Sequence, residues 1–265
     1  MNQRFNLRRL IVAATVSCCV LLPGLARATI VEVQTNVGNF QINLYDIGTP
    51  QTVANFLSYV TNLDYSDSII HRSALTQSGQ SFVIQGGGFT NTFAAIQPNA
   101  AVINEPEFAN VPGTIAMARP PGGVDTATNQ WFINMSDNSA GLDGQNFAVF
   151  GEVVSGMDVV DMIAAFPRFN LGAPFNEIPL QSDPGAAPID DMFLVVVNAV
   201  NVIDMTVDSA GVAGLTPVPT TAVNTPPPPP PAPAPAGGGG GGSFGLLGLL
   251  GLVALIRRRR VLYTQ

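Results

Sequence analysis

The chain has 265 residues, 46% hydrophobic and 11% charged, which is enough apolar material to bury a core and too much for disorder throughout. A formal charge of −7, two cysteines and one histidine argue against a basic nucleic-acid-binding surface, most zinc centres and a disulfide framework. All 11 cations are arginine, four of them before residue 28 and four at 257–260, whereas all 18 acids lie between Glu32 and Asp208. Only Arg72, Arg119 and Arg168 offset those 18 acids, so the middle of the chain stands at −15 and the basic residues mark the two ends as membrane-directed.

At the first end, Arg4, Arg8 and Arg9 precede an apolar run at 10–22, then Pro23-Gly24 and Ala26-Arg27-Ala28. This pattern predicts a secretory signal peptide over 1–28, cut after Ala28. The run is short of the ~20 apolar residues that a membrane-spanning helix needs. A lipoprotein reading through Cys18 or Cys19 lacks a convincing Leu-small-small triplet before either cysteine. Cleavage after Ala28 would remove both cysteines.

Residues 29–205 read as one domain. Val31, Val33 and Thr35 alternate, as do Phe40, Ile42 and Leu44, around Asn36-Val37-Gly38-Asn39, which predicts a β-hairpin. Thr49-Pro50 then starts a helix whose Val53, Phe56, Leu57 and Val60 share one face. Short strands follow at 68–72, 81–85, 114–118, 130–135 and 148–154. A second helix at 157–166 carries Val159, Val160, Ile163 and Ala164 on one side. An irregular stretch at 167–188 precedes a last strand at 193–203. Many short strands with two helices predict a mostly β fold, a closed antiparallel barrel whose ends the helices cover. A two-sheet sandwich fits the same pattern.

Beyond the domain come a Pro/Gly-rich linker at 206–242, with six prolines at 226–231 and six glycines at 237–242, and a last segment at 243–265. The prolines predict a stiff polyproline II spacer. The apolar run at 244–256 ends in the four arginines, which the positive-inside rule holds on the cytoplasmic side, leaving the domain outside. Glycines, a short apolar helix and an arginine cluster together resemble the GlyGly-CTERM type of bacterial sorting signal. That resemblance implies cleavage by a rhomboid-like protease and display at, or release from, the cell surface. A plain single-span anchor is the alternative. Either way, the expected location is the periplasm or the cell surface, with membrane contact through the C-terminal segment before any processing.

Within the domain the reactive side chains are few. His71 is the single histidine, no Gly-x-Ser-x-Gly elbow accompanies it, and Arg72 beside it depresses its basicity, so it reads as structural. Glu105 and Glu107 flank Pro106 in a loop and read as a solvated acidic turn rather than a glycosidase pair. Gly86-Gly87-Gly88 lacks the lysine or helix start that a phosphate cradle requires. What remains is Arg72 with apolar neighbours, in company with Gln85, Gln130 and several aromatic residues.

Six blocks carry a resemblance that runs over residues 30–203: His71-Arg72; Phe82-Val83-Ile84-Gln85-Gly86-Gly87-Gly88-Phe89-Thr90 with Asn104-Glu105; Gly113-Thr114-Ile115-Ala116-Met117-Ala118-Arg119; Gln130-Trp131-Phe132-Ile133-Asn134; Leu142-Asp143-Gly144; and Val149-Phe150-Gly151-Glu152-Val153. In this order they resemble the cyclophilins, peptidyl-prolyl cis-trans isomerases, and most nearly the exported bacterial type. The resemblance implies an eight-stranded antiparallel barrel capped by two helices. It implies catalysis at Arg72, Phe82 and Gln85. Phe82, Val83, Phe132 and Leu142 would form the proline pocket, while Gln85, Ala118, Arg119 and Gln130 would hold the peptide backbone. It implies proline-containing polypeptide segments as partners, a monomer, no nucleic acid, and neither cofactor nor metal.

The sequence departs from the family pattern in four places. Nine residues, 73–81, separate Arg72 from Phe82 where four are usual, predicting an enlarged loop between two catalytic strands. Val83 replaces the usual methionine, which makes a shallower pocket wall. Gly141 stands where many eukaryotic members have tryptophan and bacterial ones often phenylalanine, which implies weak cyclosporin binding. Asn146 falls near a position that many members fill with histidine. Val83 and the enlarged loop leave open a second function class, a proline-peptide binding module or holdase with slow turnover.

Overall fold

The computed structural model describes residues 28–207. The predicted hairpin is present: β1 (Ala28–Thr35) pairs with β2 (Gly38–Leu44), Thr35 lying opposite Gly38 across Asn36 and Val37. The chain continues through α1 (Pro50–Thr61), β3 (Ser68–Ile69), β4 (Arg72–Leu75), β5 (Ser81–Gly86), β6 (Thr114–Met117) and β7 (Trp131–Asn134). Then come α2 (Ser139–Leu142), β8 (Val149–Ser155), α3 (Met157–Ala165), β9 (Arg168–Phe169), β10 (Ile178–Pro179) and β11 (Val196–Val207).

Nine strands form one antiparallel sheet in the order β3-β11-β1-β2-β8-β6-β7-β5-β4. Its two outermost strands are successive pieces of one stretch of chain, since only Ile70 and His71 separate β3 from β4. The amide of Ile70 donates to Val195 O on one side (3.0 Å), and that of His71 donates to Gln85 O on the other (3.0 Å). The segment expected as a single strand at 68–72 therefore changes partner halfway along, and the curled sheet comes round to itself there. If β3 and β4 are counted as one interrupted strand, the sheet has the eight strands that the resemblance implies.

Alternation sorts the side chains between the two faces. Ile84, Ile133 and Ile115 lie opposite one another across β5, β7 and β6, and all three are fully buried in the interior with Trp131 and Phe150. Their neighbours Val83, Phe132 and Ala116 join a second cluster on the other face. Two helices cover the interior. α1 inserts Val53, Phe56, Tyr59 and Val60 and α3 inserts Val160, Ile163 and Ala164 into the same core, whereas Leu57 and Val159, expected on those faces, stay half-buried at its margin.

The start of α1 is held by a distant residue. Thr49 makes no side-chain capping bond. Instead, Glu105 Oε1 accepts from the Gln51 amide (3.2 Å), and Oε2 accepts from the Thr52 amide (2.8 Å) and hydroxyl (2.7 Å). Glu105 is thus not part of a solvated acidic turn: it supplies the acceptors and the negative charge that a helix N-terminus favours. α3 begins at Gly156, where φ is +77° and an added Cβ would lie 2.4 Å from Asn39 O, so glycine is required at that turn.

The expected enlarged loop is largely a longer hairpin. Ser73, Ala74 and Leu75 continue β4 opposite Ile84, Val83 and Ser81, leaving a tight turn at 76–80. The stretch expected to be irregular holds the β9–β10 pair, whose Ile178, with Leu180 just beyond it, packs with Ile69, Leu194 and Val196 in a third cluster. A short helix, α2, also appears where none was expected, and continues into a 3-10 turn (Asp143–Gln145). No helix among the described residues is long and apolar enough to cross a membrane. The expected signal peptide except Ala28, with both cysteines, most of the linker and the C-terminal apolar segment lie outside the described residues.

Candidate active site

The face of the sheet turned away from the barrel interior carries a row of side chains set by strand register. Arg72 on β4 lies opposite Gln85 on β5, Gln85 opposite Phe132 on β7, and Phe132 opposite Ala116 on β6. Residues opposite one another in an antiparallel ladder point to the same side, so one cationic, one amide and one aromatic side chain meet across adjacent strands. Together with Phe82, Val83 and Ala118 they line a small hollow that Leu142 and Phe147 complete from the segment after β7. Phe132 and Phe147 meet edge to face, with centroids 5.8 Å apart.

Arg72 stands at the rim with its side chain 15% exposed. Its Nε donates to Glu177 Oε2 at 2.9 Å, and one terminal nitrogen reaches Gln85 Oε1 at 3.4 Å. Gln85 in turn donates through Nε2 to Gln130 Oε1 at 2.8 Å. The two glutamines are thus linked to each other and to the arginine, although Gln130 does not line the hollow.

A buried polar chain holds the far wall in place. Asn138 Nδ2 donates to Phe82 O (2.9 Å) and to Asn134 Oδ1 (2.8 Å), and Asn134 Nδ2 donates to Asn110 Oδ1 (3.1 Å). Asn110 donates from its amide and its side chain to Asp143 Oδ1 (2.9 Å each), and its Nδ2 also reaches Phe147 O (3.2 Å). Phe82 and Phe147, which both line the hollow, are tied through their carbonyls to one network, so its lining is held by buried hydrogen bonds as well as by apolar packing.

Two residues weighed in the sequence lie outside the lining of the hollow. Arg119 turns its guanidinium over the Phe147 ring, 4.6 Å from the centroid. It donates to Gly123 O (2.7 Å) and to Gln145 O. Burial lowers its pKa from the ordinary arginine value. Its side chain therefore braces two loops rather than reaching into the hollow. His71 is buried against Phe89, and burial with the adjacent Arg72 charge lowers its pKa to about 4, so it is neutral near pH 7 and structural, as expected. Gly141 is exposed, and a Cβ there would meet open space.

Residues 30–182 match the family model described as cyclophilin type peptidyl-prolyl cis-trans isomerase/CLD. The chain belongs to the cyclophilin family. Among its relatives, a peptidyl-prolyl cis-trans isomerase of Acinetobacter baylyi is 43% identical over 149 residues, which is 54% of this chain and 76% of that protein. Peptidyl-prolyl cis-trans isomerase A of Dickeya dadantii is 37% identical over 63% of this chain and 88% of its own length. Peptidyl-prolyl cis-trans isomerase B of Escherichia coli is 39% identical over 50% and 82%. This cyclophilin is a peptidyl-prolyl cis-trans isomerase.

The hollow brings together Arg72, Phe82, Val83, Gln85, Ala118, Phe132 and Leu142 of the expected site residues, and reaches Gln130 through Gln85. Sequence reasoning missed Phe147 and Glu177. The first had a faint signal, an apolar residue just before the β8 block. The second had none, since it is an acid in a stretch without periodicity.

Proposed function

We propose that this cyclophilin isomerises X-Pro bonds in exported polypeptides by non-covalent catalysis in the hollow beside Arg72. The proline ring rests against Phe132, Val83 and Leu142, with Phe82 and Phe147 at the sides. An X-Pro bond resists twisting by about 18–20 kcal/mol because the nitrogen lone pair is shared with the carbonyl. As the bond twists, that nitrogen pyramidalises and becomes a hydrogen-bond acceptor. A guanidinium N–H of Arg72 donates to it then and not in the planar ground state, so the interaction lowers the barrier rather than merely tightening binding. Gln85 and Gln130 hold the peptide backbone beside the bond.

The observation that carries this reading is a single guanidinium at the rim of an otherwise mostly apolar hollow. A proline-isomerisation assay on the purified protein tests it. Arg72→Ala is expected to lower kcat/KM by about 10²-fold, the usual effect of deleting one transition-state donor. An unchanged rate would overturn the mechanism.

A binding module with slow turnover is the second reading. Two features favour it: Val83 in the pocket wall, and a β4–β5 hairpin that runs on past Val83. Tight proline-peptide binding with negligible turnover would select it. Location in the periplasm or at the cell surface rests on the basic, apolar ends of the chain. Mass spectrometry of the mature termini tests the two cleavage assignments: cuts after Ala28 and within 237–260 are expected, and an intact chain would refute both.

A further inference from the structure

The residues expected at the site account for the floor and rim of the hollow, but not for what fixes the direction of the Arg72 guanidinium. Arginine is planar and always charged, on a long flexible stem, so holding one edge of the fork aims the other. Gln85 grips it only at 3.4 Å, near the limit of a hydrogen bond, whereas Glu177 takes Nε at 2.9 Å.

Glu177 is itself firmly mounted. Its carbonyl accepts from the amide of Ser73 at 2.8 Å, so its backbone and side chain grip successive residues of β4. Arg168 Nε donates to Ser73 O at 2.7 Å from the paired strand β9. The next residue, Ile178, is fully buried. The β9–β10 pair is thus anchored on the strand that carries Arg72, with one carboxylate turned onto the guanidinium.

We propose that Glu177 is a positioning residue for isomerisation, holding Arg72 by Nε so that its terminal nitrogens face the bond being twisted. The inference rests on the reading of Arg72 as the catalytic donor. A pre-aimed donor matters because stabilisation of a transition state depends on groups already in place when charge shifts. The pair is partly exposed, 15% for Arg72 and 40% for Glu177, so it adds little to folding stability. Its loss should therefore be read in the rate and not in unfolding.

The experiment is a double-mutant cycle on the purified protein with a proline-containing peptide, measuring kcat and KM separately. Glu177→Ala is expected to lower kcat about tenfold, with KM within about twofold. Glu177→Gln keeps an oxygen that accepts from Nε and is expected to recover activity to within about threefold of the parent. In an Arg72→Ala background, Glu177→Ala is expected to change the rate by less than about twofold, because its target is gone. Full activity in Glu177→Ala while Arg72→Ala is impaired would overturn this inference alone. Equal losses from Glu177→Ala in both backgrounds would also overturn it, as the mark of a purely structural role. Full activity in Arg72→Ala would remove the catalytic reading and this inference with it.

Discussion

Deleting the Glu105 carboxylate is expected to uncap α1 from 54 residues away, and the structure permits a magnitude. Three donors point at it: the Gln51 amide, the Thr52 amide and the Thr52 hydroxyl. Gln51 is exposed, so water can replace its bond, whereas Thr52 is 1% exposed and would lose its partner inside the protein. Loss of a cap costs about 0.5–2 kcal/mol and a hydrogen bond to a charged group is worth about 1.5–3 kcal/mol, so Glu105→Ala should destabilise by about 2 kcal/mol. For a domain of this size that is a fall in Tm of about 4–8 °C. Glu105→Gln, which keeps an acceptor oxygen and loses the charge, should cost about half as much. Thermal unfolding followed by circular dichroism measures both, and hydrogen exchange at the Thr52 amide reports the lost bond directly. A Tm within about 1 °C of the parent, with Thr52 still protected, would refute the assignment.

Other expectations concern His71, Phe82 and Arg119. Since the folded pKa of His71 is about 4 against an ordinary 6.5, its contribution is fully present above pH 6.5 and is lost as the pH falls towards 4, up to about 3 kcal/mol. Urea unfolding between pH 7 and 4 should show that slope in the parent and a shallower one in His71→Gln; equal slopes would rule His71 out. Phe82 is half-buried, so Phe82→Ala should raise KM for a proline peptide about tenfold with little change in urea midpoint; an unchanged KM would remove it from the pocket. Arg119→Ala should cut the brace between the loops at Gly123 and Gln145, lowering Tm by about 3–6 °C while kcat/KM falls less than about threefold. A large loss of activity without loss of stability would show that Arg119 holds the peptide instead.

Much of the site was legible because strand alternation is local. The sequence around Ile84-Gln85 and Phe132-Ile133 already alternates inward and outward residues, and the register only aligns them. The α1 stripe followed from helical spacing in the same way, with Tyr59 taking the inner place expected of Leu57. What escaped depends on pairings through space between residues far apart in sequence. Glu105 and Glu177 are ordinary loop acids until the fold brings one to a helix start and the other to a guanidinium 105 residues away. Arg119 shows the complementary limit: its motif marks a place in the chain, whereas the Phe147 ring and two carbonyl oxygens decide where its side chain goes. The short α2 carries too few residues for a periodic pattern to register.

The scarcity of cations in the domain also governs how a protease meets it. Trypsin cuts after lysine or arginine; residues 28–207 contain no lysine and three arginines. Arg119 precedes Pro120, a bond that trypsin cuts poorly. The bonds after Arg72 and Arg168 lie inside β4 and β9, where Ser73 is joined to both Glu177 and Arg168. Within this stretch, digestion must wait for those strands to open, so its rate serves as a clock for the unfolding of the same segment that carries Arg72.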